Sequence, residues 1–267
     1  MALYTDMADE IYRPKGKVPS GVTVHTARTG PVTLTRVQIA RPGLERPVGR
    51  YTTLELPTLA AVDPQDQQYI QAVAQEISQL LPPEGLVLVV GVGNRRITAD
   101  ALGPRTAGGV LVTRNVAPQA ATQTLGLRPV AVVSPGASGS TGVQLAELLA
   151  GLVRTIRPSA VVCVDSLCTA DPHRLGRTVQ LSDTGLRPAQ PGSSRCVTRA
   201  MLGVPVLALG VPTLVEPPQQ GQGEGGLILV PRQLDQIVRK GSALLAAALN
   251  QALQPRLSAQ ELRWLCS

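Results

Sequence analysis

The sequence predicts an α/β fold: a parallel-rich twisted sheet with helices on both faces, preceded by a β-rich extension at the N-terminus. Three observations carry that prediction. Short apolar runs such as 86–90 and 160–165 lack the in/out alternation of a half-exposed strand, so they read as strands buried on both faces. They alternate with amphipathic stretches of helical length, the pattern of a sheet covered on both sides. Aromatics make up only 2% of the chain and Phe is absent, so the core must be built from Val, Leu, Ile and Ala. A parallel sheet uses those residues.

The elements follow in order. Over residues 1–62, alternating runs at 21–24, 32–37 and 51–56 are separated by Gly and Pro, which predicts an antiparallel lobe or sheet extension packed on a core formed by 63–267. A helix is expected over 65–81, capped by Asp63, with Ile70, Val73, Ile77, Leu80 and Leu81 on one face. Strand 86–90 leads into a helix after Pro104. A strand at 130–133 precedes Pro135-Gly136 and a helix over 141–156. Strands at 160–165, 178–181, 204–209 and 227–230 follow, with a closing helix over 233–253 that packs Leu234, Ile237, Val238 and Leu245. The segment 217–226 is a polar Pro/Gln/Gly-rich loop.

Composition excludes several functions. The net charge is +7, but the 25 Lys and Arg residues are scattered and aromatics for base stacking are nearly absent, so direct nucleic-acid binding is not expected. Cys163, Cys168, Cys196 and Cys266 form no C-x-x-C pair, which argues against zinc and against a disulfide framework. Cys163 reads as a small core residue. No signal pattern opens the chain, and the apolar run 243–249 is far too short to span a bilayer. A cytoplasmic protein with no membrane partner is expected.

Gly91-Val92-Gly93-Asn94 begins like a dinucleotide fingerprint, but Arg96 stands where the third glycine belongs, so no nucleotide cofactor is expected. Gly136-Ala137-Ser138-Gly139-Ser140 resembles a nucleophile elbow without its last glycine. The only histidines, His25 and His173, are poorly placed to serve as its base or to hold catalytic zinc. No cofactor and no metal are expected.

Two aspartates remain. Asp100 follows the 86–90 strand and Asp165 ends the 160–165 strand, so both belong to the crevice at the carboxyl ends of the strands, where α/β sheets bind ligands. Carboxyls that meet in such a crevice resist double ionisation, which makes one a general acid and the other a general base. A hydrolase is the expected class. Asp183, in Ser182-Asp183-Thr184-Gly185, also follows a short strand and is a second-tier carboxylate. Backbone N–H groups of the 136–142 stretch, at Gly136, Gly139, Thr141 and Gly142, are candidate substrate-binding or oxyanion donors ahead of a helix.

Many short pieces, in order, are shared with one known family. They include Tyr4-Thr5-Asp6-Met7-Ala8, Arg46-Pro47-Val48-Gly49-Arg50-Tyr51-Thr52-Thr53-Leu54-Glu55, Val89-Val90-Gly91-Val92-Gly93-Asn94, Asp100-Ala101-Leu102-Gly103-Pro104, Val112-Thr113-Arg114, Pro135-Gly136-Ala137-Ser138-Gly139-Ser140-Thr141-Gly142, Val164-Asp165-Ser166-Leu167 and Gly210-Val211-Pro212-Thr213. In these the chain resembles the germination proteases of spore-forming bacteria, endopeptidases assigned to an atypical aspartic class. The resemblance implies that Asp100 and Asp165 are the catalytic pair and that small acid-soluble spore proteins are the substrates. It also implies residence in the forespore or spore core, and a homo-oligomer, specifically a tetramer. Family members are usually made as zymogens, whereas this chain begins almost at Tyr4-Thr5-Asp6, which leaves little to remove. Asn115 replaces a histidine usual in the family, Arg187-Pro188-Ala189-Gln190-Pro191-Gly192 replaces a Gly-rich stretch, and an insertion after Thr213 is reduced to the Gln/Gly loop. The core more distantly resembles the hydrogenase maturation proteases. That likeness implies one alternative, a metal-dependent maturation-type protease, while the altered stretch after Gly185 leaves a second, a sporulation-associated binding protein that kept the fold without the chemistry.

Overall fold

Eight strands run through the computed structural model, which describes residues 5–12, 18–116, 126–137, 141–188, 195–215 and 229–266. They are β1 (Val22–Thr29), β2 (Val32–Ile39), β3 (Gly49–Glu55), β4 (Val87–Gly91), β5 (Val130–Val133), β6 (Ala160–Thr169), β7 (Thr178–Ser182) and β8 (Val206–Val215). All belong to one sheet, in the order β1-β2-β3-β7-β8-β6-β4-β5. From β8 to β5 the pairing is parallel, and from β1 to β8 it is antiparallel. The expected parallel-rich sheet is therefore only half the sheet. The antiparallel pairing of β1, β2 and β3 was expected; the departure is β7, which follows β6 after only residues 170–177, too short a connection for a parallel crossover. Gly30, at φ 57, supplies the positive φ of the two-residue turn between Thr29 and Val32. These strands extend the sheet by pairing β3 with β7.

Both faces are covered. Val87 and Val89 of β4 pack with Ile70, Val73 and Ile77 of α2 (Gln67–Leu80), while Leu88 and Val90 face the opposite layer. Alternation at period two thus survives in a strand that is apolar throughout. Leu102 of α3 (Leu102–Gly108) joins the first layer, as do Leu244, Leu245 and Leu249 of a long C-terminal helix, Leu234–Leu253. The second layer is built on Leu145, Leu149 and Val153 of α4 (Leu145–Ile156), with Leu202 from a short helix α5 (Arg199–Leu202). The long helix is α6. After it comes α7 (Ala259–Leu265), opened by a capping box between Ser258 and Glu261. That Ser-x-x-Glu spacing was readable in the sequence but precedes only a short apolar run. A one-and-a-half-turn helix α1 (Ala8–Tyr12) packs near β2 and β3.

Several boundaries differ from expectation. Asp66, not Asp63, caps α2, accepting from the backbone N–H of Gln68, while Asp63 closes the turn before it. The helix expected from 141 begins at Leu145. Strand β6 continues past Asp165 to Thr169 because it pairs with β8 along its whole length, with a bulge between Leu167 and Cys168. The strand expected at 227–230 contributes a single bridge, Leu229 to Val215. Residues 227 and 228, and the loop expected at 217–226, lie outside the described residues. All four cysteines are free, and Cys163 is fully buried in β6. No described helix is long and apolar enough to cross a membrane.

Two glycines set how closely α3 approaches the sheet. A Cβ on Gly103 would collide with the carbonyl oxygens of Val92 and Val164, and one on Gly91 would meet the Gly103 carbonyl at 2.5 Å. Backbone atoms have little room to yield. Gly103→Ala is therefore expected to cost at least about 1–3 kcal/mol through overpacking, read as a lower midpoint in urea unfolding.

Candidate active site

The chain leaves β4 through Val92, whose N–H donates to the Val164 carbonyl at 2.8 Å, and then folds back on itself at Gly93. Gly93 has φ 119, and a Cβ there would strike the Asp100 backbone, so only glycine allows the return. A single 3-10 turn (Thr98–Asp100) then brings Asp100 to the start of α3. Its Oδ2 accepts the Asn94 N–H at 2.8 Å, closing the loop into a small ring. Asp165 lies in the middle of β6 opposite Gly210 of β8, where a Cβ would press on the Asp165 carbonyl. Small residues on the flanking segments let the two carboxylate-bearing backbones draw together.

They do meet. Nη1 of Arg195 lies 2.7 Å from Oδ1 of Asp100 and 3.3 Å from Oδ1 of Asp165, while Nη2 lies 2.8 Å from Oδ2 of Asp100. One guanidinium nitrogen therefore spans both carboxylates. The Asp165 side chain is 3% exposed, against 16% for Asp100. Burial pushes the Asp165 carboxyl up to about 8, reinforced by the negative charges of Asp100 and Asp6 and opposed by Arg195 and the Ser166 N–H. Burial works against the charge on Arg195, but the two aspartates outweigh it and hold it above its ordinary value.

The three side chains line a cavity of about 620 Å³. Asp6 lines it too, tied to β6 by a two-way link in which its N–H donates to the Cys168 carbonyl and its Oδ2 accepts the Cys168 N–H at 2.7 Å. Arg46 and Arg187 also line it, and Arg46 donates to the Thr5 and Arg187 carbonyls. The cavity lining thus carries both signs of charge, with Asp6, Asp100 and Asp165 against Arg46, Arg187 and Arg195. Helix α1 is anchored beside it by a buried ion cluster. Arg174 lies 2.7 Å from Asp9, 3.5 Å from Glu10 and 3.7 Å from Glu55, with Asp9 fully buried.

The other expected site residues fall elsewhere. Asp183 is engaged by Arg50, whose N–H and Nε donate to its two oxygens at 2.7 and 3.2 Å, and it is not among the residues lining the cavity. Gly136, Thr141 and Gly142 are exposed and do not line it either, and Gly139 lies outside the described residues. Arg195 and Asp6 were missed as site residues. Arg195 sits in a loop with no periodicity, and nothing in its neighbours signals a return to the strand ends. Asp6 is distant in sequence from both partners. Among the described residues, no three His, Cys, Asp or Glu side chains group as a metal site.

Comparison with known proteins finds matches along most of the chain. Residues 4–219 match the family model described as germination protease. The germination protease of Clostridium acetobutylicum is 31% identical over 91% of each chain. That of Caldanaerobacter subterraneus is 30% identical over 99% of this chain and 98% of its own. That of Clostridium tetani is 35% identical over 81% of this chain and 71% of its own.

Two expectations follow from the electrostatics. The folded state holds a proton on Asp165 up to about pH 8, whereas an unfolded aspartate releases it near 3.8, so this group costs stability progressively across that window. Asp165→Asn should therefore raise the melting temperature relative to the parent by an amount that grows from pH 4 to pH 8 and then levels off. Arg174→Met leaves Asp9 buried without its cation and should destabilise by about 3–5 kcal/mol, measurable by chemical denaturation.

Proposed function

The chain belongs to the germination protease family, hence to proteases that act in spore germination, and on that premise we propose that it hydrolyses small acid-soluble spore proteins with Asp100 and Asp165 as its catalytic pair. One observation carries the assignment. A single guanidinium nitrogen is within hydrogen-bonding reach of both carboxylates, so they are near enough to share a water molecule or a peptide group.

The chemistry follows from unequal environments. Two neighbouring carboxyls cannot both ionise easily, and the more buried one keeps its proton near neutral pH. The ionised partner takes a proton from water as the water oxygen bonds to the peptide carbonyl carbon. The protonated partner hydrogen-bonds the developing oxyanion and then gives its proton to the amide nitrogen as the C–N bond breaks. The elements of water are added across the bond, and the pair resets by exchanging one proton with solvent. The cavity, of about 620 Å³, is lined by acidic and basic side chains that would contact a charged segment of an extended peptide. Within this reading the enzyme works as a homo-oligomer in the spore interior.

The test is cleavage of a purified small acid-soluble spore protein by the parent, Asp100→Asn and Asp165→Asn. Each substitution should lower kcat by about 10²–10⁴-fold with the fold intact. Near-parental turnover by either variant would refute the pair.

A further inference from the structure

Resting on that same catalytic pair, we propose that Arg195 is a positioning residue of the reaction: it holds Asp100 as the charged partner and leaves Asp165 to carry the proton. The hydrogen-bond directions make the argument. Asp100 receives both prongs of the guanidinium fork at 2.7 and 2.8 Å, and its Oδ2 also accepts the Asn94 N–H at 2.8 Å. Its two oxygens therefore face three N–H donors. A proton on either oxygen would place an O–H group against donors, whereas an ionised carboxylate satisfies all three.

Asp165 is arranged differently. Its Oδ1 takes the adjacent Ser166 N–H at 2.8 Å and the long third contact from Arg195 at 3.3 Å. Among the described residues nothing donates to its Oδ2, which leaves that oxygen to bear hydrogen. Burial points the same way, since the charge sits on the more exposed of the two side chains and next to the fixed cation. Desolvation pushes Asp165 up to about 8, within reach of the pH at which an acid must donate.

The roles then become definite. Asp100 accepts the proton that water loses as its oxygen bonds to the carbonyl carbon. Asp165 gives its own proton to the leaving nitrogen as the C–N bond breaks. Arg195 itself transfers no proton. By staying charged, it keeps the two carboxylates from exchanging roles.

The experiment compares full-length parent, Arg195→Gln and Arg195→Lys on a purified small acid-soluble spore protein from about pH 4 to 9, with kcat and KM separated. Removing the cation should lower kcat at least tenfold at neutral pH with little change in KM. It should also move the acid limb of the kcat profile to higher pH by about one unit, in line with the effect of an opposite charge at this distance. Arg195→Lys should restore the limb position while recovering only part of the rate, because an ammonium cannot fork. An Arg195→Gln enzyme as fast as the parent or faster, with unshifted limbs, would overturn the proposal and mark Arg195 as an obstruction that substrate displaces. Infrared spectroscopy supplies a readout that needs no turnover. The carboxylic-acid band near neutral pH should be present in the parent and absent from Asp165→Asn, and a band that persists in that variant would also overturn it. Activity retained by Asp165→Asn would instead refute the catalytic pair itself.

Discussion

A carboxylate in the middle of a buried strand is the constraint on which this structure turns. Asp165 does not sit at a strand end in contact with water. It lies between residues that continue the β6–β8 pairing, almost wholly buried. A charge there is costly, and two things relieve the cost: retention of the proton and the approach of Arg195. Both bring Asp100 into play, because the same guanidinium that reaches Asp165 is held mainly by Asp100. The three groups form one electrostatic unit, and the charge state of any one depends on the other two.

Backbone packing makes that unit possible. Gly91, Gly93 and Gly103 let β4, the returning loop and α3 approach one another and β6 at distances that a methyl group would prevent. The Asp100 loop therefore rests directly on the strand that carries Asp165, with the Val92 N–H bonded to the Val164 carbonyl one residue before Asp165. On the other side, Asp6 and helix α1 are fastened to the same strand by the Cys168 link and by the Arg174 cluster. The N-terminal residues thereby become part of the cavity although they lie far from it in sequence.

Much of this was legible before the fold was known. Apolar runs marked the parallel strands because burial on both faces removes alternation, and amphipathic spacing marked α2 and α6 because their faces must meet those strands. Asp100 and Asp165 stood out as two carboxylates at what read as the carboxyl ends of neighbouring strands, where α/β sheets bind ligands. The antiparallel half of the sheet was harder to read. Alternation in β1 to β3 marked strands but carried no information about which edge they would join, and the pairing of β3 with β7 rests on residues more than a hundred positions apart. The true extent of β6 was hidden for the same reason, since its second half is held by β8 and not by its own composition.

Most strands, the helix faces and the candidacy of the two aspartates were thus legible in the sequence alone, because each follows from local periodicity or from where a carboxylate falls against an apolar run. Which groups stand around those aspartates was decided only by tertiary structure. Arg195, Asp6 and the diversion of Asp183 to Arg50 all depend on loops whose paths are set by long-range contacts. Charge and burial act through space over a few ångströms, and no pattern along the chain records which residues will share that distance.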